Sequence, residues 1–308
     1  MDILAILLGA VMVLWGADKL TEGATVLAQK MNIPQIVIGL TIVALGTSMP
    51  EFFVSFISAL KGTADLAIGN IVGSNIFNVM AIVGIAAMVS PMIISKSTVK
   101  KDIPFALFAS VALFVMSIDG KISRIDGILL LIAFGGFMWY TLRLAKTGEV
   151  EDSTERRNDL PVWKIAFFIL IGLGSLIGGS NIFVEGATNI ARTLGVSEAV
   201  IGLTIVACGT SLPELATSVV AARKGQSAIA IGNVIGSNVF NILFILGTTG
   251  TITPLLMSGI TMIDMGLMLL SMVLLWLFSF TKYTVSRWEG ALLTTIFCGY
   301  ITWLVINV

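Results

Sequence analysis

The sequence predicts an all-α polytopic membrane protein, with ten transmembrane helices arranged as two inverted-topology five-helix repeats. The first observation is composition, because 56% of the 308 residues are hydrophobic and only 12% are charged, which is far more apolar than a soluble domain. The second is a series of ten apolar runs, each near the roughly 20 residues that a helix needs to cross a bilayer. The third is that the chain repeats itself at a constant offset.

The ten apolar runs account for nearly the whole chain. Only Met1 and Asp2 precede the first run, which lacks a basic flank and a small-residue cleavage site, so we expect a retained span and not a signal peptide. The runs are centred near Leu8, Leu45, Val79, Ala112, Ile132, Leu173, Val206, Phe244, Leu270 and Phe297.

The internal repeat has an offset of 163 residues. Positions 16–84 align with 179–247 without a gap, and 34 of these 69 pairs are identical. Five runs separate a helix from its copy, and because five is odd the copies must cross the membrane in opposite directions. This arrangement is typical of secondary transporters, which bind substrate at mid-membrane between the repeats. We therefore predict a first repeat over 1–145, a polar cytoplasmic linker over 146–160 and a second repeat over 161–308.

The basic residues of the connections predict the orientation in a cell membrane. The loops on one side hold four Lys and Arg residues, and those on the other side hold the remaining fourteen. Basic loops stay in the cytoplasm. Both termini are therefore expected outside the cell, with the central linker inside.

The first strongly repeated block places a carboxylate within an apolar run of each half. Residues 39–51 return at 202–214, and an intramembrane Glu indicates a functional site. The adjacent Pro50 and Pro213 should break the helix and free backbone carbonyls beside the carboxylate. Spacings of i, i+3, i+4 and i+7 put four residues of each copy on one helix face: Ala44, Thr47, Ser48 and Glu51 in the first half, and Ala207, Thr210, Ser211 and Glu214 in the second.

The second repeated block, 69–78, returns at 232–241 as G-N-x-x-G-S-N-x-F-N. Its glycines are explained by close helix packing. Its Ser and Asn side chains fit either interhelical hydrogen bonds or cation coordination, and we favour coordination because they accompany two Glu residues. The polar residues concerned are Asn70, Ser74 and Asn78, and their copies Asn233, Ser237 and Asn241.

These side chains offer oxygen ligands only. The chain has no histidine, and its two cysteines lie in predicted spans, so we expect neither a transition-metal site nor a disulfide. Hard cations prefer oxygen, and Ca²⁺ accepts six to eight such ligands, including bidentate carboxylates. Two buried carboxylates repel each other when no cation is bound. The two repeats should therefore change their orientation in the membrane only when bound cations neutralise the charges of these carboxylates. This rule predicts exchange of cations, with no permanently bound cofactor.

The repeated blocks resemble those of the calcium/cation antiporter superfamily, in particular the short prokaryotic sodium/calcium exchangers. The resemblance implies transport of Ca²⁺ and Na⁺, and a first and a sixth helix that slide past the other eight. Many such exchangers have Asp where Asn241 stands. By motif position, the resemblance implies that the calcium ligands are the carboxylates of Glu51 and Glu214 and the carbonyls of Thr47 and Thr210. The implied sodium ligands include Ala44, Ser48, Ser74, Ala207, Ser211 and Ser237. The resemblance also implies that Asn78 and Asn241 line the centre of the site.

Three other functions are compatible with a buried pair of glutamates, and the sequence disfavours each of them. A proton/calcium exchanger would protonate the Glu residues, although neighbouring Ser and Thr oxygens favour sodium. A cation channel could also use Glu at mid-membrane, but inverted repeats with broken helices disfavour a continuous pore. An intramembrane enzyme is disfavoured because the chain has no H-E-x-x-H motif and no histidine. Apart from the lipid bilayer and the transported ions, no nucleic acid and no obligate protein partner is expected.

Overall fold

The computed structural model describes residues 2–147, 160–195, 205, 207–257 and 260–307. These residues are mostly helical, as predicted. The α-helices are α1 (Asp2–Met31), α2 (Gln35–Ile38), α3 (Ala44–Thr47), α4 (Met49–Leu60), α5 (Ala64–Ile76), α6 (Gly84–Val89), α7 (Ile103–Met116), α8 (Arg124–Thr147), α9 (Val162–Thr193), α10 (Ala207–Thr210), α11 (Leu212–Arg223), α12 (Ser227–Val239), α13 (Gly247–Ile252), α14 (Met262–Phe280) and α15 (Arg287–Asn307).

Wider π-helical turns join several of these helices into longer ones. The turns lie at Gly39–Val43, Phe77–Val83, Thr98–Asp102 and Phe240–Leu246. Two of them, Phe77–Val83 and Phe240–Leu246, occupy the same positions in the two repeats. Such turns often occur at functional sites, and these two carry Asn78 and Asn241.

Within the described residues, seven helices are long and apolar enough to cross a membrane, or eight if the bent helix 35–60 is one span. Ten spans were predicted. The other two predicted spans are not among these helices. One corresponds to residues 98–116, which consist of a π-helical turn followed by α7, and the other to a segment whose last part is α10 and α11. Residues 196–204 and 206 of that last segment lie outside the described residues, as does most of the predicted linker 146–160.

Two short strand pairs were not anticipated by the prediction of an all-α fold. Strand β1 (Met92–Ile93) pairs antiparallel with β4 (Thr284–Val285), and β2 (Lys121–Ile122) pairs antiparallel with β3 (Leu255–Leu256). Each pair joins a loop of the first sequence repeat to a loop of the second. Two-residue strands leave no signal of alternating polarity in the sequence, so only the tertiary structure reveals them.

Helices α1 and α9 contact each other along a row of glycines. A Cβ atom added to Gly16 would lie 2.7 Å from the carbonyl oxygen of Gly172, and one added to Gly179 would lie 2.9 Å from that of Gly9. Gly9, Gly16 and Gly23 on α1 are the repeat partners of Gly172, Gly179 and Gly186 on α9. Small residues allow membrane helices to approach this closely.

A buried carboxylate ties the start of α14 to α15. Asp264 accepts hydrogen bonds from the backbone nitrogen and hydroxyl of Thr261, each at 2.7 Å, and its other oxygen accepts one from the Tyr300 hydroxyl at 2.6 Å. Thr261 and Asp264 therefore form a capping box at the start of α14. In the first half, Tyr140 donates to Asp102 over a longer distance, 3.2 Å.

Tyr300→Phe should lower the stability of the protein. The substitution removes one hydrogen bond to a buried carboxylate, and such bonds contribute about 1.5–3 kcal/mol. Thermal unfolding in detergent measures the effect, with Tyr140→Phe as the control that removes the longer bond. A Tyr140→Phe protein that is less stable than Tyr300→Phe would contradict this prediction.

Candidate cation site

The helix that carries each Glu is interrupted three residues before it. Between α3 and α4 the axis bends by 48° at Ser48, whose φ and ψ of −83° and 8° depart from helical values. Ser211 repeats this conformation at −91° and 9° between α10 and α11. The following prolines lie at the first helical positions, where proline is tolerated. The predicted break beside each Glu is therefore confirmed.

Both glutamates lie in the first turn of a helix and are buried. Glu51 is 1% exposed and Glu214 is 0% exposed. Each is the third residue of its helix, α4 or α11, where the positive end of the helix dipole favours a negative charge. The broken helix thus places backbone dipoles where they stabilise a buried carboxylate.

The two glutamates are linked across the repeats by reciprocal hydrogen bonds. The Ser48 hydroxyl donates to Oε1 of Glu214 at 2.8 Å, and the Ser211 hydroxyl donates to Oε1 of Glu51 at 2.7 Å. S-x-P-E reads locally as a capping box, in which Ser would bond its own helix. Neither hydroxyl caps its own helix, because each one reaches the carboxylate of the other repeat.

Each carboxylate keeps one oxygen free for a further ligand. Oε2 of Glu51 and Oε2 of Glu214 are buried and have no hydrogen-bond partner among the described residues. A buried unpaired carboxylate oxygen is costly unless a charge or a donor satisfies it. The pair therefore offers two such oxygens in one part of the core.

Ser211→Ala should weaken cation binding and leave the maximal transport rate unchanged. The substitution removes the donor that holds the Glu51 carboxylate, and hydrogen bonds to charged groups contribute about 1.5–3 kcal/mol. We expect the cation concentration for half-maximal flux to rise at least about tenfold, since tenfold corresponds to about 1.4 kcal/mol. Flux into proteoliposomes measures it. Ser58→Ala, at a partly exposed position of α4, is the control and should behave as wild type.

Other polar groups of the first block bond to their own helix or to neighbouring helices. The Thr47 hydroxyl has two acceptors for its one proton, Oδ1 of Asn233 at 3.1 Å and the Ala44 carbonyl at 3.3 Å. Pro213 has no N–H for the carbonyl of Gly209, and the Ser180 hydroxyl on α9 donates to that carbonyl at 2.6 Å instead. Thr210 is the last residue of α10, and the side chain of Ala207 lies outside the described part of the structure.

The first asparagine of each copy of the second block holds the backbone of a glutamate. Nδ2 of Asn70 donates to the Glu51 carbonyl at 3.3 Å and to the Ser55 hydroxyl at 2.9 Å. Asn233 makes the same two contacts, at the same distances, with the Glu214 carbonyl and Ser218. Asn70 and Asn233 thus attach the helix that bears each Glu to the neighbouring helix. For these two residues, the structure shows interhelical hydrogen bonds in place of the cation coordination that we favoured from the sequence.

The serines and last asparagines of the second block are buried in the same region. The Ser74 hydroxyl is 3.2 Å from that of Ser211. The Ser237 hydroxyl, Oδ1 of Asn78 and Oδ1 of Asn241 are buried without a partner among the described residues. Two hydrogen-bonded groups thus join predicted site residues across the repeats: Ser48 with Glu214, and Ser211 with Glu51 and Ser74.

Two asparagines that the sequence analysis did not select complete this region. Asn75 accepts from Nδ2 of Asn241 at 3.1 Å, and Asn238 accepts from Nδ2 of Asn78 at 3.0 Å. Both are 1% exposed. The sequence does repeat these residues, since Asn follows Gly-Ser in both copies of the block. They were not singled out because they lie off the helix face shared by Asn70, Ser74 and Asn78.

Close helix packing explains the glycines of the second copy. A Cβ atom on Gly232 would lie 2.9 Å from Cα of Gly39, and one on Gly236 would lie 2.7 Å from the carbonyl oxygen of Leu40. The prediction for these two glycines is confirmed. Gly69 and Gly73 meet no neighbour within 3.4 Å among the described residues.

A cavity of about 310 Å³ is lined by none of these polar groups. Its lining, which includes Val13, Phe183 and Leu215, consists only of apolar side chains. It offers no ligand to a cation, so the buried carboxylates and not this cavity form the candidate site.

Comparison with known proteins assigns the chain to a family. Residues 1–143 and 164–306 match the family described as sodium/calcium exchanger protein. The chain belongs to the sodium/calcium exchanger family. This exchanger is similar to the sodium/calcium exchanger MaX1 of Methanosarcina acetivorans, with 32% identity over 97% of each chain. It is also similar to the putative antiporter CaxA of Alkalimonas amylolytica, with 35% identity over 96% of each chain.

A solved structure agrees with the assignment. The sodium-calcium exchanger NCX_Mj, in a structure soaked with Na⁺ and Ca²⁺, superposes with a TM-score of 0.85 and 32% identity, covering 98% of this chain and 97% of that one. The resemblance to the calcium/cation antiporter superfamily is therefore confirmed. The exchanger is a polytopic membrane protein whose relatives are transporters and not enzymes.

Proposed function

We propose that this protein exchanges Ca²⁺ for Na⁺ across a cell membrane by alternating access at a site built on Glu51 and Glu214. The observation that carries the proposal is the reciprocal pair of Ser–Glu hydrogen bonds between the repeats. It leaves one buried carboxylate oxygen of each Glu for a cation. Family membership supports the identity of the two ions.

In the proposed site, Ca²⁺ takes both carboxylates and the carbonyls of Thr47 and Thr210. The oxygen of each carboxylate that accepts a Ser hydroxyl keeps a second lone pair, so both carboxylates can be bidentate. With the two carbonyls they supply six oxygens, within the range that Ca²⁺ accepts. Na⁺ ions take smaller sets of oxygens around the same glutamates. These sets come from the carboxylates together with Ala44, Ser48, Ser74, Ala207, Ser211 and Ser237, while Asn78 and Asn241 line the centre.

Charge compensation couples the two ions. Two negative charges about 4 Å apart repel by about 4 kcal/mol at an effective dielectric constant of about 20. The charged site without cations is therefore unfavourable during a step that removes it from water. One Ca²⁺, or two or more Na⁺, compensates the pair and permits reorientation, so that each half-cycle carries cations in one direction.

The proposed architecture is two five-helix repeats, 1–145 and 161–308, that cross the membrane in opposite directions. The paired helix breaks, π-helical turns and Ser–Glu bonds at an offset of 163 residues support it. The side with more basic residues is cytoplasmic, so the linker 146–160 lies inside the cell and both termini lie outside. Helices α1 and α9, joined along their glycine row, move together past the other helices.

Flux driven by defined gradients tests the proposed function. The full chain is reconstituted into proteoliposomes, and ⁴⁵Ca²⁺ uptake is measured with an outward Na⁺ gradient, with a pH gradient alone, and with neither. We expect uptake to require the Na⁺ gradient. Uptake driven by the pH gradient alone would instead identify a proton/calcium exchanger. Ca²⁺ current that reverses at the Ca²⁺ equilibrium potential, whatever the Na⁺ gradient, would identify a channel.

A further inference from the structure

Four buried asparagine side chains of the second block form two hydrogen-bonded pairs across the repeats. Asn78 pairs with Asn238, and Asn241 pairs with Asn75. Each pair joins one residue of the first repeat to one of the second. All four are at most 1% exposed, so neither end of these amides is hydrated by bulk water.

The orientation of Asn238 is determined by groups that can only accept hydrogen bonds. Its Nδ2 lies 3.5 Å from the backbone carbonyl oxygen of Asn75 and 3.5 Å from Sδ of Met272. A carbonyl oxygen and a thioether sulfur accept and do not donate. If the amide were turned over, Oδ1 would face two acceptors, so Nδ2 of Asn238 must point toward them.

This orientation determines that of Asn78 in turn. Oδ1 of Asn238 faces Asn78, which must present its Nδ2 and does so at 3.0 Å. The carbonyl oxygen Oδ1 of Asn78 is therefore directed away from Asn238. It is buried and has no partner among the described residues, so it remains available as a ligand.

The repeat-related pair lacks this constraint. Asn75 accepts from Nδ2 of Asn241 at 3.1 Å, but its own Nδ2 has no hydrogen-bond partner among the described residues. The repeat partner of Met272 is Ala109, which has no sulfur to accept a bond. The amides of Asn75 and Asn241 can therefore turn over together without losing a hydrogen bond that the structure makes.

We infer that Asn238 is a positioning residue of the cation site, which acts through Asn78 by keeping the Asn78 carbonyl oxygen, and not its amide group, available to a cation. The inference rests on the proposed function. Hard cations bind carbonyl oxygens, whereas an amide NH₂ group can only donate. Asn238 itself binds no ion, because its oxygen accepts from Asn78 and its nitrogen faces two acceptors.

Asn238→Leu in the full chain tests the inference. Leu is similar in size and has no polar atom, so Asn78 loses the acceptor that orients it. In proteoliposomes we expect the Na⁺ concentration for half-maximal Ca²⁺ exchange to rise about tenfold, with a maximal rate within about twofold of wild type. Asn75→Leu, the matched change in the other repeat, should alter this concentration less than about threefold.

A double substitution separates positioning from general disruption. In Asn78→Asp, both ends of the side chain carry oxygen, so its orientation no longer matters. We expect Asn238→Leu to cause no further loss of affinity in this background. An equal loss in both backgrounds, or unchanged affinity in Asn238→Leu alone, would overturn the inference. If Asn238→Leu does not fold, Asn238→Ala enters the same comparison, with thermal unfolding as the check on folding.

The outcome is separable from that of the proposed function. If Glu51→Gln is inactive while Asn238→Leu exchanges ions with unchanged affinity, only the role of Asn238 is rejected. If Glu51→Gln exchanges ions normally, the two-glutamate site itself is rejected.

Discussion

Glu51→Gln and Glu214→Gln are each expected to abolish coupled Ca²⁺ flux. Gln keeps the size of the side chain and an oxygen that can accept the Ser211 or Ser48 hydroxyl, but it removes the negative charge. We expect initial ⁴⁵Ca²⁺ uptake driven by a Na⁺ gradient to fall at least about 100-fold, which corresponds to about 2.8 kcal/mol of lost interaction. Loss in both variants is expected because each glutamate is buried and carries one free oxygen.

The control for these variants is Glu185→Gln. Glu185 is exposed on α9, and its substitution removes a charge without touching the reciprocal Ser–Glu bonds. Its uptake should match wild type. Near-normal exchange in either Glu51→Gln or Glu214→Gln would refute the proposal that the site depends on two carboxylates.

Gly179→Val is expected to destabilise the protein severely. A Cβ atom at this position would lie 2.7 Å from Cβ of Met12 and 2.9 Å from the carbonyl oxygen of Gly9. Helices α1 and α9 would have to separate over their whole contact, because the neighbours are backbone atoms and a Cβ that cannot move alone. Overpacking of this kind costs about 1–3 kcal/mol or more. We expect a large decrease in the unfolding temperature in detergent.

The adjacent Gly178 is a matched control on the same helix. A Cβ there would meet only the terminal methyl of Met12, at 3.7 Å. Gly178→Val carries the same change in helix propensity, so the difference between the two variants isolates packing. Equal unfolding temperatures for Gly178→Val and Gly179→Val would show that the glycine row does not determine the contact.

The case of Ser48 and Ser211 shows where local sequence patterns stop being informative. Ser three residues before Glu, with Pro between them, is a typical start of a helix, and the helices α4 and α11 do begin there. The same pattern predicts that the hydroxyl bonds its own backbone. It bonds the opposite glutamate instead, because the two broken helices meet across the repeats.

The asparagines illustrate the same difference for the second block. Asn70, Ser74 and Asn78 are spaced four residues apart, which places them on one face of a regular helix. The structure shows that Asn70 is engaged with the Glu51 backbone, while Asn75, one residue beyond Ser74, reaches Asn241 of the other repeat. Both Asn70 and Asn75 lie in the regular helix α5, so helical spacing gives the face on which each one lies but not the group of the other repeat that it meets.

The sequence by itself determined the membrane class, the helical fold, the repeat and the glutamates at its centre. These follow from composition and period, which local physics controls: apolar runs of sufficient length form helices in lipid, and a proline interrupts them. Only the tertiary structure decided which groups of one repeat meet those of the other, including the Ser–Glu bonds, the asparagine pairs and the strands β1–β4 and β2–β3. Such contacts join residues about 130 to 190 positions apart, and no local pattern encodes their pairing.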